Sequence, residues 1–522
     1  MMRERVFNTA GPCDPEWHYM LPPERRLQRV ETLIDRAQYF VVHAPRQVGK
    51  TTSFRALADR LTAEGQYVAL LASCEAAQAA GDDAERGVTV LVREIETAAM
   101  TLPSELRPPK LSDLGDIEPL LLLRVYLARW AERCPRPIVL CFDEIDSLLG
   151  TTLISVLRQL RTGYPDRPRR FPHSVALIGL RDVRDYRLEA NADGPKLGTS
   201  SPFNIKVESL RLRDFTAEEV VELYRQHEAE TGQRFTASAL DRAFELTQGQ
   251  PWLVNALARQ LVEDERPDRR EPIDLDAVES SKEKLILRRD THLDSLAERL
   301  RERRVRRVIE PLVAGDFLGA DVTPDDLDYV IDLGLVWRQN GDLSVANPIY
   351  REVIPRSLAV VLESSIPVSR LQYVDLDGRL RVETLLDEFG AFWRENAESF
   401  LKRTPYSEAA AQLIFMAFLH KVVNGGGFID REYAVGAGRI DLCLRWPHGE
   451  GVDRFAFELK VRRKAPVRER GIDQLVNYLE RLGLDRGILV VFDVRKDAIG
   501  VGSEASRESV VHRGREVLIA TY

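Results

Sequence analysis

Residues 39–61 read YFVVHAPRQVGKTTSFRALADRL: an apolar run, a short loop ending in Gly-Lys-Thr, and a segment whose Phe54, Leu57 and Leu61 recur at helical spacing. The order predicts a buried strand, a turn and an amphipathic helix. Residues 44–51 fit G-x-x-x-x-G-K-[ST], except that Ala44 stands where the first glycine belongs. Such a loop curls backbone N–H groups around an anion at a helix N-terminus, while Lys50 reaches the outer phosphates and Thr51 offers a hydroxyl to Mg2+. The expected site runs through Ala44, Pro45, Arg46, Gln47, Val48, Gly49, Lys50, Thr51 and Thr52. A methyl group at Ala44 narrows the φ allowed there, which points to weaker affinity without loss of the loop. Arg46 is open to contact with nucleotide or with a neighbouring subunit.

A second signal lies 90 residues on. In PIVLCFDEID, residues 137–146, an apolar strand ends in Asp143 and Glu144. An aspartate there holds Mg2+ through water, and the glutamate orients or deprotonates the attacking water. Outward from these two points, YVALLAS, SVALIGL and FNIKVESL are further β-rich runs separated by helix-length segments, the pattern of a parallel α/β sheet over 39–208. FTAEEVVELYRQHEAETG opens with Thr216 and glutamates two and three residues later, a capping signature that begins a helical lid. After a basic, helix-rich stretch, a helix at 324–332 and two strands meeting at Asn340-Gly341 suggest a winged helix that either binds DNA or packs as a structural lever.

Residues 25 to about 355 thereby resemble an AAA-type P-loop ATPase of the STAND-like branch. The resemblance implies ATP and Mg2+ as ligands. It also implies a phosphate-sensing role for Arg181, just past the strand in ALIGLRDV, and a turn near adenine for Gly249 and Pro251 in GQPWL.

Composition sets bounds on the rest. At 522 residues the chain exceeds one core and predicts two to four domains. Apolar runs are far below the roughly 18 residues of a membrane span, and the N-terminus lacks the apolar stretch of a secretory signal, so a cytoplasmic location without membrane contact is expected. Five cysteines without CxxC spacing indicate neither a disulfide framework nor structural zinc. A net charge of −8 argues against general nucleic-acid coating, yet residues 454–470 carry seven basic residues against two acidic.

That basic strip surrounds a second constellation. In GRIDLCLRW, residues 438–446, Ile440, Leu442, Leu444 and Trp446 share one strand face and Asp441 takes the other. In FAFELKV, Phe455, Phe457, Leu459 and Val461 share a face, leaving Glu458 and Lys460 together opposite. Two adjacent strands joined by the loop PHGEGVD thus bring two carboxylates and an ammonium to one point. Hard oxygen ligands of this kind suit a divalent ion that activates water, with a lysine to stabilise charge or take a proton. Downstream, Ile472, Leu475, Val476, Leu479 and Leu482 line the buried face of a helix that carries Gln474 and Tyr478 one turn apart, and RGILVVFD is the next core strand.

Residues 400–500 resemble the PD-(D/E)XK nuclease superfamily. The resemblance implies Asp441, Glu458 and an upstream Glu408 as ligands for Mg2+ or Mn2+, with Lys460, and Gln474 and Tyr478 in the exonuclease-subunit manner, as catalytic partners. Asp493 reads as a strand terminus and His448 as a solvated loop residue. The expected architecture is an N-terminal segment (1–24), an α/β ATPase core (25–210), a helical lid (211–280), a winged-helix-like part (281–357), a connector (358–399) and an α/β nuclease-like domain (400–522). The expected function is ATP hydrolysis, with Glu144 as base, governing cleavage of DNA, RNA not excluded, with a homo-oligomer in scope. The rivals are an ATP-dependent signalling scaffold whose nuclease-like end only binds, and a remodeller of polypeptides.

Overall fold

The chain was analysed as a computed structural model, which describes residues 4–181, 205–288, 293, 296, 298–314, 318, 321–339, 342–354, 373–403, 411, 414–416, 418–419, 427–435, 438–449, 451–462, 467–493 and 505–522; side chains are described except at 287, 314, 339, 396–403, 430–435, 438–441 and 467. It divides into two compact units, residues 1–281 with 331–335, and 282–330 with 336–522.

In the first unit all five expected strands form: β1 (Tyr39–His43), β2 (Val68–Ser73), β3 (Ile138–Asp143), β4 (Ser174–Gly179) and β5 (Lys206–Arg211). They order as β2-β3-β4-β1-β5 and every neighbouring pair is parallel. Apolar runs without alternation follow from burial on both faces. Tyr39, Val41, Leu70, Leu140 and Leu177 pack toward one core, whereas Phe40, Val42, Ala69, Val139 and Ile178 pack toward the other. Around the sheet lie α1 (Gln28–Asp35), α2 (Lys50–Glu64), α3 (Ala84–Ala98), α4 (Pro119–Arg133) and α5 (Gly150–Gly163).

The stretch expected as a lid contains α6 (Ala217–Thr231), α7 (Ala237–Thr247) and α8 (Pro251–Arg259), and α9 (Leu275–Arg288) follows it and continues into the second unit. The capping signature at Thr216 forms as a capping box at the start of α6. Thr216 Oγ1 accepts from Glu219 N at 3.3 Å, and Glu219 Oε2 accepts from Thr216 N at 2.9 Å.

The N-terminal segment packs into this unit. Phe7 and Tyr19 are buried, and their rings meet Tyr224 and His227 of α6. The Gln233 amide donates to Arg266 O at 2.9 Å and to Glu271 O at 3.1 Å, so its Oε1 is the acceptor facing His227 Nε2 at 2.9 Å. His227 therefore carries its proton on Nε2 and accepts from Tyr19 OH on Nδ1, 3.3 Å away. Burial holds its pKa below the ordinary 6.5, and burial does the same for His173. A histidine neutral when folded takes up a proton more readily when unfolded. Stability is therefore at its full value above pH 6.5 and falls as pH drops below it, by no more than about 1.4 kcal/mol per pH unit for each histidine. Thermal midpoints measured from pH 7.5 down to 5.5 are expected to decline, and His227→Gln is expected to flatten the decline; an unchanged slope in that variant contradicts the assignment.

In the second unit, α10 (Arg303–Ala314), α11 (Pro324–Asp332, whose last two residues join the first unit) and a hairpin of β6 (Val336–Gln339) and β7 (Asp342–Val345) appear at the expected places. Asn340 and Gly341 lie outside the described residues. Arg304, Arg306 and Arg307 of α10 are engaged within the unit, with Asp325 at 2.7 Å, Glu310 at 2.5 Å and Asp326 at 3.7 Å respectively.

The remaining strands, β8 (Phe428–Val435), β9 (Gly438–His448), β10 (Gly451–Arg462), β11 (Arg486–Asp493), β12 (Ser506–His512) and β13 (Arg515–Thr521), make a mixed sheet in the order β12-β13-β11-β10-β9-β8. Helices pack on both of its faces. From α12 (Val382–Arg403), Leu385, Phe389 and Trp393 pack with Phe457, Phe492 and Tyr522, so part of the expected connector over 358–399 belongs to this core. On the opposite face, Leu475, Val476 and Leu479 of α13 (Val467–Leu482) meet Cys443, Ala456 and Leu489. The expected loop PHGEGVD is also shorter than anticipated. Pro447 pairs with Val452 and Trp446 with Asp453, so the ladder continues to the tip, and both strands are flanked by others in the sheet.

Candidate functional site

Three chain segments meet at the carboxyl edge of the parallel sheet, where such folds place ligands. After β1, the loop enters α2 with Gln47 (φ 58°) and Gly49 (φ 85°) in the left-handed region. Ala44 lies outside that region, is fully buried, and donates its N–H to Gly179 O at 3.2 Å. The expected penalty at Ala44 is therefore not incurred, because the left-handed turns fall at Gln47 and Gly49. Arg46 is exposed on the loop.

Lys50 Nζ donates to the carbonyls of Ala44 at 2.7 Å and Pro45 at 2.8 Å. Burial pushes its pKa down to about 8, against the pull of Asp146 and Asp143. Thr51 Oγ1 donates to Asp143 Oδ2 at 2.6 Å across the gap between α2 and β3. Asp143 is only 3% exposed and also accepts from Glu144 N at 3.1 Å. The backbone of Glu144 is left-handed (φ 56°), which turns it out of the strand. Its carboxyl is raised above the ordinary range, first by burial and then by Glu75, Asp143 and Asp146.

A hydroxyl and a carboxylate at 2.6 Å are hard oxygen donors of the type Mg2+ selects. Among the described residues no group of three or more His, Cys, Asp or Glu is placed to hold a metal unaided.

The other expected residues take distinct places. Arg181 follows β4 and is 9% exposed. Thr52 Oγ1 accepts from Cys13 N at 3.1 Å and so anchors the N-terminal segment. Gly249 has φ 74°, and a Cβ there would stand 1.9 Å from Phe215 O, so only glycine fits. Pro251 then opens α8 at its first turn. Sequence reasoning missed Arg26, whose Nη1 donates to Val48 O at 2.8 Å, and Asp146, which accepts from Leu180 N at 3.2 Å. It also missed the segment at 331–335, where Asp332 stands 3.6 Å from His43 and Gly334 packs on Pro45.

A family model described as an AAA-like domain matches residues 17–352, more than half of the 522 residues. The chain belongs to this AAA-like family. Its P-loop motif, Mg2+-type oxygen pair and parallel sheet all fall within that AAA-like domain. Among solved structures, it is similar to the Walker-type ATPase of Pyrococcus abyssi at 15% identity, covering 67% of this chain and 99% of that one, with a TM-score of 0.49. It is also similar to the RuvB Holliday junction branch migration motor of Thermotoga maritima at 16% identity, covering 63% of this chain and 93% of that one, with a TM-score of 0.34. For Cdc6p from Pyrobaculum aerophilum the values are 13% identity, 65% and 94% coverage, and a TM-score of 0.32. No curated protein matches the sequence. Among the described residues no helix is long and apolar enough to cross a membrane.

The second constellation lies on the α13 face of the mixed sheet. Glu458 is fully buried, and Lys460 Nζ stands 2.6 Å from its Oε1. A Cβ at Gly471 of α13 would approach Lys460 Cγ to 3.3 Å, so the helix lies close over this pair. Gln474 Nε2 donates to Tyr478 OH at 3.4 Å. The antiparallel register runs from Gly451 opposite His448 to Phe457 opposite Leu442. The side chain of Asp441 and the whole of Glu408 lie outside the described residues. Asp493 stands 3.7 Å from Arg462, an ion pair at the strand end, and His448 stands 3.2 Å from Asp453, so this histidine has a carboxylate beside it rather than solvent alone.

Proposed function

We propose that this AAA-like protein binds and hydrolyses ATP at the P-loop, in the manner of STAND-like members, and that its nucleotide state governs a metal-dependent nuclease in residues 400–522. The reading rests on one contact, Thr51 Oγ1 to Asp143 Oδ2 at 2.6 Å, which joins the two motifs at a point suited to Mg2+. Lys50 exchanges the carbonyls of Ala44 and Pro45 for phosphate oxygens, which offer its ammonium a full negative charge. Thr51 and Asp143 hold Mg2+, which neutralises phosphate charge when bound. Glu144 takes the proton from attacking water, a task its raised pKa favours. Arg181 steadies the outer phosphate, and Gly249 and Pro251 border the base.

For the nuclease, support comes from the buried Glu458 beside Lys460 and from an antiparallel register that reaches Phe457 opposite Leu442, one residue short of Glu458 and Asp441 on each strand. These carboxylates, with Glu408, are the proposed ligands for Mg2+ or Mn2+; Lys460, Gln474 and Tyr478 surround the phosphodiester. The complete burial of Glu458 favours a second reading, in which the Glu458–Lys460 pair is structural and this domain binds nucleic acid or a protein without cutting it.

Incubation with labelled single- and double-stranded DNA, with and without ATP and Mn2+, separates the two. Metal-dependent cleavage that changes with ATP supports the first reading; binding without cleavage under every condition supports the second. Lys50→Ala is expected to weaken ATP binding by about a hundredfold, the loss of a charged hydrogen bond to phosphate, and to remove any ATP dependence. Unaltered ATP affinity in that variant contradicts the assignment of the P-loop.

A further inference from the structure

We propose that Arg26 is a positioning residue of the nucleotide site: a single guanidinium that sets both the aim of the Gly49 N–H and the docking of the lid entry. The inference rests on the ATP-binding reading above.

Arg26 lies just before α1, and its Nη1 donates to Val48 O at 2.8 Å. The Val48–Gly49 peptide is planar and trans, so its C=O and N–H point in opposite directions. A guanidinium that holds Val48 O outward therefore turns the Gly49 N–H inward, toward the anion the loop encloses. The left-handed φ of Gly49, 85°, is the conformation that this peptide orientation accompanies.

The other arm of the fork reaches the lid. Arg26 Nη2 donates to Arg213 O, between β5 and α6, and the guanidinium lies over the Phe215 ring at 5.2 Å. From there the connections continue into the lid. Arg213 is paired with Glu219 of the capping box at 2.6 Å, and Phe215 N donates to Gly249 O at 2.9 Å. One rigid, planar group thus links the phosphate loop to the turn carrying Gly249 and Pro251. Arg26 Nε is buried and has no hydrogen-bond partner among the described residues, an arrangement that stability alone does not favour. Lysine, a point charge on a flexible stem, cannot hold two carbonyls at a fixed separation.

The test uses the full chain, Mg2+-ATP, and the variants Arg26→Lys and Arg26→Gln, with Arg25→Ala as a control that removes only the exposed pair with Glu222. Both Arg26 variants are expected to raise the Kd and KM for ATP by about tenfold or more, with kcat per folded molecule nearly unchanged. A purely structural role lowers the folded fraction, and with it apparent kcat, at unchanged KM; that result, or wild-type affinity in Arg26→Lys, overturns the proposal. Absence of ATP binding by the unaltered protein refutes the functional reading itself, and the proposal with it.

Discussion

Glu144→Gln is expected to lower ATP turnover by about 10²- to 10⁴-fold, the usual contribution of a general base, while ATP still binds. The substitution keeps the size of the side chain and its reach toward Ser73, whose hydroxyl lies 3.4 Å from the carboxylate. What it removes is the ability to take a proton. Burial and the carboxylates of Glu75, Asp143 and Asp146 all disfavour the charged form of Glu144, so its pKa lies above the usual carboxylate range. The base works only when deprotonated. The acid limb of kcat against pH is therefore expected at a higher pH than an ordinary glutamate gives, and it is expected to vanish in Glu144→Gln. Steady-state ATPase assays over pH, paired with ATP binding measurements, check both points. A turnover within threefold of the unaltered protein assigns the base elsewhere.

Glu458→Gln is expected to abolish metal-dependent cleavage of DNA, a loss of at least about 10³-fold, because an amide is a poor ligand for a divalent ion and cannot share charge with Lys460. The isosteric change is preferable to alanine. Glu458 is fully buried with Lys460 Nζ at 2.6 Å, and truncating one member of a buried ion pair destabilises by about 3–5 kcal/mol, which would confuse folding with chemistry. ATP affinity is the internal control and is expected to stay constant. Cleavage at wild-type rate in Glu458→Gln removes Glu458 from the site. Calorimetry with Mn2+ gives a second readout independent of cleavage.

Much of the first unit was legible because its signals are local. A strand–loop–helix with Gly-Lys-Thr and a strand ending in Asp-Glu need only a few residues each, and Thr216 and Glu219 announce a helix start by their own side chains. The helix at Pro324–Asp332 likewise appears where its pattern placed it. In the second unit the alternation of Phe457 and Leu459 with Glu458 and Lys460 assigned both faces correctly, since strand geometry alone alternates them. Strands β8, β12 and β13 were missed. β12 is an edge strand whose residues are mostly exposed, so its polarity resembles a loop; the left-handed pair Arg513 (φ 47°) and Gly514 (φ 74°), a primed hairpin turn, was the available signal.

The sequence by itself determined the five strands of the parallel sheet, the faces of β10 and the chemical types gathered at the P-loop, because hydrophobic period and short-range motifs act within one segment. Tertiary structure alone decided three things: that Ala44 occupies a position with no need of glycine, that Arg26 reaches Val48 and Arg213, and that α12 closes over the mixed sheet. Each depends on which distant backbone arrives beside a residue. Such proximity follows from the packing of whole layers and leaves no periodic trace in the chain.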